Sequence, residues 1–229
     1  MTGFGDVVTR FLARMFYVPI VRTFDWEKDM EFRQKLKDDF IGKDLVSSRS
    51  LIFTDSYLLP SYEIVSDEAK KSLLIDNAGG KSTVSEMYSI DYFVKIHSAK
   101  DCIFEKEVQY WIDYKMVDFI CEIDGCRIGV SVARAMEYLP RSPFDKNRAE
   151  KLLFKKLYGL IVARNSVMKS QSFYKSILHI WCENHTIAGL LFEAFENLDN
   201  NHYGLKVKGI VLLQLTVCED RQLYENYIE

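Results

Sequence analysis

Asp118, a cationic stripe and a strand histidine are the residues of this chain best placed to do chemistry. Asp118 puts a carboxylate on a strand face otherwise built of small or singly charged residues. Arg148, Lys151 and Lys155 recur at i, i+3 and i+7 of a helix-like segment, on one face. Such a stripe is what phosphate contacts require, and also what an ordinary solvated helix presents. His179 alternates away from Leu178 and Ile180, so it is expected to look toward the same floor as Asp118. A lone strand histidine is more commonly a hydrogen-bonded, half-buried residue than a general base. No Ser–His–Asp or Cys–His spacing accompanies it, and nucleophilic hydrolysis has no support.

The element that must position Asp118 is a hairpin over residues 115–135. Asp124-Gly125 separates two β-branched runs, and a two-residue turn of that composition needs φ > 0 at both positions. The short loop fixes the register: Ile123 opposite Cys126, Glu122 opposite Arg127 as a cross-strand ion pair, Asp118 opposite Ser131. One face then carries Val117, Phe119, Cys121, Ile123, Ile128, Val130 and Val132, a core face. The other carries Asp118, Glu122, Arg127, Gly129, Ser131 and Ala133, a sparse floor on which function is expected. Around the hairpin the periodicity predicts a helix over 83–97 and a strand over 103–112 with Glu105, Glu107 and Gln109 on one side. A long amphipathic helix over 145–167 follows, then strand 176–182, helix 186–198 and strand 207–218. Helices linking strands that cannot form hairpins imply parallel crossovers and a mixed sheet.

This order resembles the PD-(D/E)xK nuclease-like superfamily, whose restriction-endonuclease-like core runs α-β-β-β-α-β. The resemblance covers roughly residues 83–183. It maps Glu86 onto the helix acid and Asp118 onto the second-strand Asp. The third-strand acid and lysine fall on Ser131-Val132-Ala133, where both are missing. In that superfamily paired carboxylates hold a hard divalent cation, usually Mg²⁺, while the lysine steadies developing charge. The resemblance therefore makes Glu86 and Asp118 metal ligands if the domain is active, with Glu107 as a migrated carboxylate. The residues alone offer plainer readings: a solvated Asp118 or one paired with Lys115, and a Glu86 favoured by the helix dipole.

The function expected is a catalytically degenerate nuclease-like domain that binds nucleic acid, RNA or DNA, or assembles a complex through a protein partner. No cofactor is expected in that case. One alternative is an active Mg²⁺-dependent nuclease with a rearranged site built from Glu86, Glu107 and Asp118; another is an interaction scaffold without nucleic acid. A net charge of −3 gives no global attraction to nucleic acid, so binding must come from a local patch such as Arg148, Lys151 and Lys155. Cysteines 102, 121, 126, 182 and 218 have no zinc-site spacing and read as thiols of a reducing compartment. No run approaches a membrane span, so no membrane partner is expected.

The expected domain organisation is an N-terminal, mostly helical extension over 1–80 packed on an α/β core over 81–229. Within the extension, 26–41 reads as helix, 51–59 as a short strand or buried loop, and Ser66 as the N-cap of a further helix. Residues 77–82 contain Gly-Gly-Lys-Ser but lack the preceding strand and the spacing of a phosphate loop. Arg10, Arg14 and Arg22 among apolar residues fit an amphipathic helix packed on the domain, or a mitochondrial presequence. The expected location is cytoplasmic or nuclear, with the mitochondrion as the alternative.

Overall fold

A computed structural model of the protein describes residues 16–17, 34, 36–41, 51–75, 82–112, 114–137, 143–200, 207, 209–225 and 228. In chain order the strands are β1 (Phe16–Tyr17), β2 (Leu51–Ser56), β3 (Lys100–Phe104), β4 (Phe119–Ile123), β5 (Cys126–Ala135), β6 (Lys175–Cys182) and β7 (Val211–Val217). The helices are α1 (Asp67–Ser72), α2 (Thr83–His97), α3 (Lys146–Ser166), α4 (His185–Asn200) and α5 (Arg221–Glu225). The protein is α/β, and its one mixed sheet runs β1-β2-β7-β6-β5-β4-β3. β3, β4 and β5 pair antiparallel, whereas β5, β6, β7, β2 and β1 pair parallel.

The hairpin forms as its turn chemistry requires. Asp124 and Gly125 take φ of 49° and 76°, and Ile123 faces Cys126 while Glu122 faces Arg127. The cross-strand ion pair does not form. Glu122 pairs instead with Lys100 at 3.0 Å, and the Arg127 guanidinium donates to the Ser170 carbonyl at 2.7 Å. The predicted helix 83–97 has the bounds of α2. Helix α3 begins one residue after Asp145, whose side chain caps it by accepting from the Arg148 N–H at 2.9 Å. Ser66 caps α1 through the Ala69 N–H at 3.4 Å.

Both faces of the sheet are covered. On one, Met87, Tyr88, Ile90 and Phe93 of α2 pack with Phe119, Cys121, Val130, Val132 and Trp181. On the other, Ala149, Leu153, Leu157 and Leu160 of α3 and Leu191 of α4 pack with Ile120, Ala133, Leu178 and Ile180. The sparse floor expected from alternation is therefore a second core over most of its length. Its small residues make room for neighbours: a Cβ at Gly129 would run into the ring of buried Phe173. Small residues on a strand face signal close approach as readily as they signal an open floor.

Two further expectations change. The strand expected over 103–112 ends at Phe104, where a 3₁₀ turn over Glu105–Glu107 takes over. The short strand that is one reading of 51–59 forms as β2, but it enters the main sheet, pairing with β7 over six residues, rather than staying in a separate helical layer. Leu36 and Phe40, near a π-helical turn over Lys37–Ile41, are buried in the α2-side core. The segments 77–81 and 1–24, apart from 16–17, lie outside the described residues, and with them the phosphate-loop and presequence readings. Among the described residues no helix is long and apolar enough to cross a membrane.

Candidate functional site

Asp118 lies one residue before β4, where the hairpin register outruns the apolar packing. Its N–H donates to the Val130 carbonyl at 2.9 Å, which holds it opposite Ser131. The carboxylate Oδ2 accepts from the Ser131 hydroxyl at 2.9 Å and from the Val132 N–H at 2.6 Å. Asp118 and Ser131 are thus cross-strand partners, as the turn predicts. The plain pairing with Lys115 is replaced by one with Lys156 of α3, whose Nζ stands 4.0 Å from Oδ2. The same ammonium donates to Ser131 Oγ at 3.4 Å and to the Val132 carbonyl.

Glu86 comes from the helix on the opposite side of the sheet. Its Oε1 accepts from the Ser82 hydroxyl at 2.5 Å, in the first turn of α2. Burial, the nearby Asp118 charge and then Glu105 push its carboxyl up to about 7, against the pull of Ser82 and Lys156. The helix dipole favours an ionised acid in the first turn by only about 0.3–1 kcal/mol. Burial beside other carboxylates outweighs it. Glu86 therefore sits between protonation states near neutral pH, and the dipole alone does not explain its setting.

Glu86, Glu105, Lys106, Asp118, Thr83 and Phe104 line a small cavity of about 20 Å³. That is room for about one water-sized group. The site has no room for a base or sugar. Its charge is mixed: three carboxylates with Lys106 on the lining and Lys156 at Asp118.

The other sequence candidates are arranged differently. Glu107 does not line the cavity, because its carboxylate folds back to accept the Phe104 N–H at 3.1 Å and closes the 3₁₀ turn. Glu105, two residues earlier, points there instead. His179 does not share a face with Asp118. It pairs with Val132 in the parallel register, so it faces α2 inside the core. There its Nε2 lies 3.1 Å from Thr216 Oγ1, its ring is 4.6 Å from that of Trp181, and burial holds it down to about 3. It is neutral and unavailable as a base for this site. The basic stripe is divided: Lys151 and Lys155 are exposed, while Arg148 is half-buried with its guanidinium on the Pro143 carbonyl at 3.4 Å.

Sequence reasoning missed Lys156, although a signal was present. Ala149, Leu152, Leu153, Leu157 and Leu160 define the buried face of α3, and Lys156 falls inside that stripe. A lysine at a core position of an amphipathic helix must reach an acceptor or leave a charge unpaired. Here the acceptors are Asp118, Ser131 and Val132.

Carboxylate oxygens are suitable ligands for Mg²⁺, but among the described residues no three His, Cys, Asp or Glu side chains are grouped as a metal set. The cation beside Asp118 is the Lys156 ammonium.

No family model matches the chain, and no solved structure matches it. The AAC-rich mRNA clone AAC4 protein of Dictyostelium discoideum is 28% identical to it over 170 residues, 72% of this chain. The match covers 24% of that protein, so the chain spans about a quarter of its relative's length. That name states no activity.

Proposed function

We propose that this chain is a nuclease-like domain with a degenerate hydrolytic centre, which binds nucleic acid alone or as a subunit of a larger assembly. The observation that carries the reading is the environment of Asp118. Its acceptor oxygen is taken up by Ser131, the Val132 N–H and the Lys156 ammonium. With Oδ2 shared among these donors, a hard cation could bind Asp118 only through Oδ1 unless it displaced them, and the third-strand acid that would complete its ligand set is replaced by Ser131. The element order α2-β3-β4-β5-α3-β6, with β4 antiparallel to β5 and β5 parallel to β6, supports the nuclease-like part of the reading. Exposed Lys151 and Lys155 support the nucleic-acid part, since each phosphate contact adds salt-sensitive affinity.

One observation favours an active nuclease as the second reading. Lys156 brings an ammonium from α3 to the strand ends where the third-strand lysine is missing, and Glu86 stands near it with a raised carboxyl. A single experiment separates the two. End-labelled RNA and DNA, single-stranded and duplex, are incubated with the chain in low salt, with and without Mg²⁺, and both binding and cleavage are read. The proposal expects salt-sensitive binding without metal-dependent cleavage. Cleavage that requires Mg²⁺ and vanishes in Asp118→Asn would install the second reading. Absence of binding to every probe would remove both and leave the scaffold.

A further inference from the structure

The pairing of β3 with β4 is interrupted by a bulge, and the bulge sets two thiols against each other. Lys100 faces Glu122 and Ile103 faces Ile120, so Asp101 and Cys102 together oppose the single residue Cys121. Asp101 takes φ of 52°, the left-handed conformation of the first residue of such a bulge. Cys102 and Cys121 also share a face, since Cys121 belongs to the α2-side core and Cys102 packs on it. Both line one groove of about 310 Å³, beside Asp101, Glu122 and Arg127. That is the size of a small-molecule site. Cys102 is half-buried and Cys121 fully buried, and both are free thiols. After burial, the charge of Cys102 is what pushes the Cys121 thiol up, in keeping with their closeness. Cys182 and Cys218, by contrast, lie in the cores on opposite sides of the sheet.

We infer that Cys102 and Cys121 are a disulfide-forming pair, oxidised by a low-molecular-weight disulfide of the glutathione kind that reaches Cys102 through the groove. Opposed residues of an antiparallel pair lie about 4.5–5.5 Å apart at Cα, inside the span of about 4.4–6.8 Å that a disulfide bridges. The Cys102 thiolate attacks one sulfur of the oxidant, whose S–S bond breaks, and one thiolate leaves with the bonding pair. The Cys121 thiolate then attacks the Cys102 sulfur of the mixed disulfide and expels the second thiolate. The two cysteine protons end on the two departing thiols, so two cysteines lose two electrons and one small disulfide becomes two thiols. Only Cys102 has to meet the oxidant, which suits a buried partner. Burial, with Glu68 and Asp101, pushes the Cys102 thiol up to about 12, which makes the exchange slow at neutral pH. The bond joins the two ends of the segment that supplies Phe104, Glu105, Lys106 and Asp118 to the cavity. It ties the cavity wall together whatever ligand the cavity takes.

The test equilibrates the full chain with glutathione disulfide and glutathione over a series of ratios. The remaining thiols are then alkylated and the protein is mapped by peptide mass spectrometry without reduction. The expected product is a single species in which the Cys102 and Cys121 peptides are joined. Cys126→Ser, at the other half-buried thiol nearby, is expected to leave that species unchanged, and Cys102→Ser to abolish it and leave Cys121 alkylated. Cys121→Ala is expected to stop at a glutathione adduct on Cys102. The oxidised chain is expected to melt at a higher temperature than the reduced one, because a cross-link that fits the native geometry constrains the unfolded chain. Recovery of both thiols alkylated at every ratio, a persistent adduct on Cys102 in the wild type, or Cys102 joined to Cys126 would overturn the inference. So would a lower melting temperature on oxidation, which would mean that the paired strands have to move to accept the bond.

Discussion

Two regions of this molecule bury carboxylates beneath α2, and they solve the problem in opposite ways. Asp55, at the inner end of β2, is fully enclosed. Its Oδ2 accepts from the Tyr92 hydroxyl at 2.5 Å and its Oδ1 from Gln214 Nε2 at 3.1 Å. Thr216 links the same cluster to His179 at 3.1 Å. All the partners are neutral and fixed by the core, and burial raises the Asp55 carboxyl to about 6. At the other region Glu86, Glu105 and Asp118 meet at a cavity with Lys156 and Lys106. There the charges are mixed, and the raised Glu86 carboxyl reflects other carboxylates as well as burial. A polar network walled in by the core is structural, because nothing outside can reach it. A cluster of charges left at a cavity mouth is where an outside ligand can change the balance. Perturbed titration marks both regions, so it locates a site only together with access.

The largest effect that could break this contrast is expected at the closed network. Tyr92 is fully buried and packs on Tyr57, Phe93, His179 and Trp181. Tyr92→Ala should lose about 3–5 kcal/mol of stability by chemical denaturation, the range for deleting a buried aromatic. Tyr92→Phe, which removes the hydroxyl donor to Asp55 Oδ2 and leaves the Gln214 donor in place, should lose about 1–3 kcal/mol. Little change in either variant would show the network to be dispensable.

The pH dependence comes next and separates the two regions. A carboxyl raised in the folded state contributes stability that is fully present below its unfolded pKa and is lost as pH rises through the folded value. Asp55 should therefore withdraw stability between its ordinary 3.8 and about 6, by up to about 3 kcal/mol. Glu86 should do so in a higher window, from 4.5 to about 7. Asp55→Asn is expected to flatten the lower window and Glu86→Gln the upper one, read as melting temperature from pH 4 to 8. A nucleic-acid ligand should shift only the upper window.

Smaller effects are expected from the cations. Lys156→Met deprives Asp118 of its partner in a partly exposed pair, and a loss of about 1 kcal/mol is expected at pH 7. It should also push the Glu86 window further up, since Lys156, after the Ser82 hydroxyl, holds that carboxyl down. Lys151→Ser with Lys155→Ser should change stability by no more than about 0.5 kcal/mol, because neither side chain is buried. A larger loss would mean that the stripe holds the fold together and is not a surface kept for a ligand.

Local chemistry made much of this protein legible without coordinates. Asp124-Gly125 determined the hairpin, its register and the pairing of Asp118 with Ser131, because a two-residue turn leaves one geometry. Helical spacing determined α2 and α3, and Asp145 and Ser66 marked helix starts, because capping and periodicity act over a few residues. What covers each face of a strand is not local. Alternation separated the two faces within β4 and β5, although Val117, ahead of β4, joined the α3-side core instead of that of Phe119; only the docking of α3 and Phe173 decided that the small-residue face is a second core. His179 went to the α2 side because the β5–β6 register, set across a helical crossover, paired it with Val132. Lys156 met Asp118 for the same kind of reason: more than thirty residues lie between them, and packing both helix layers on one sheet brought ammonium and carboxylate together. The sequence by itself determined the turn, the helices and the identities of the charged groups; which charges share a cavity was decided by tertiary packing, since charges interact through space rather than along the chain.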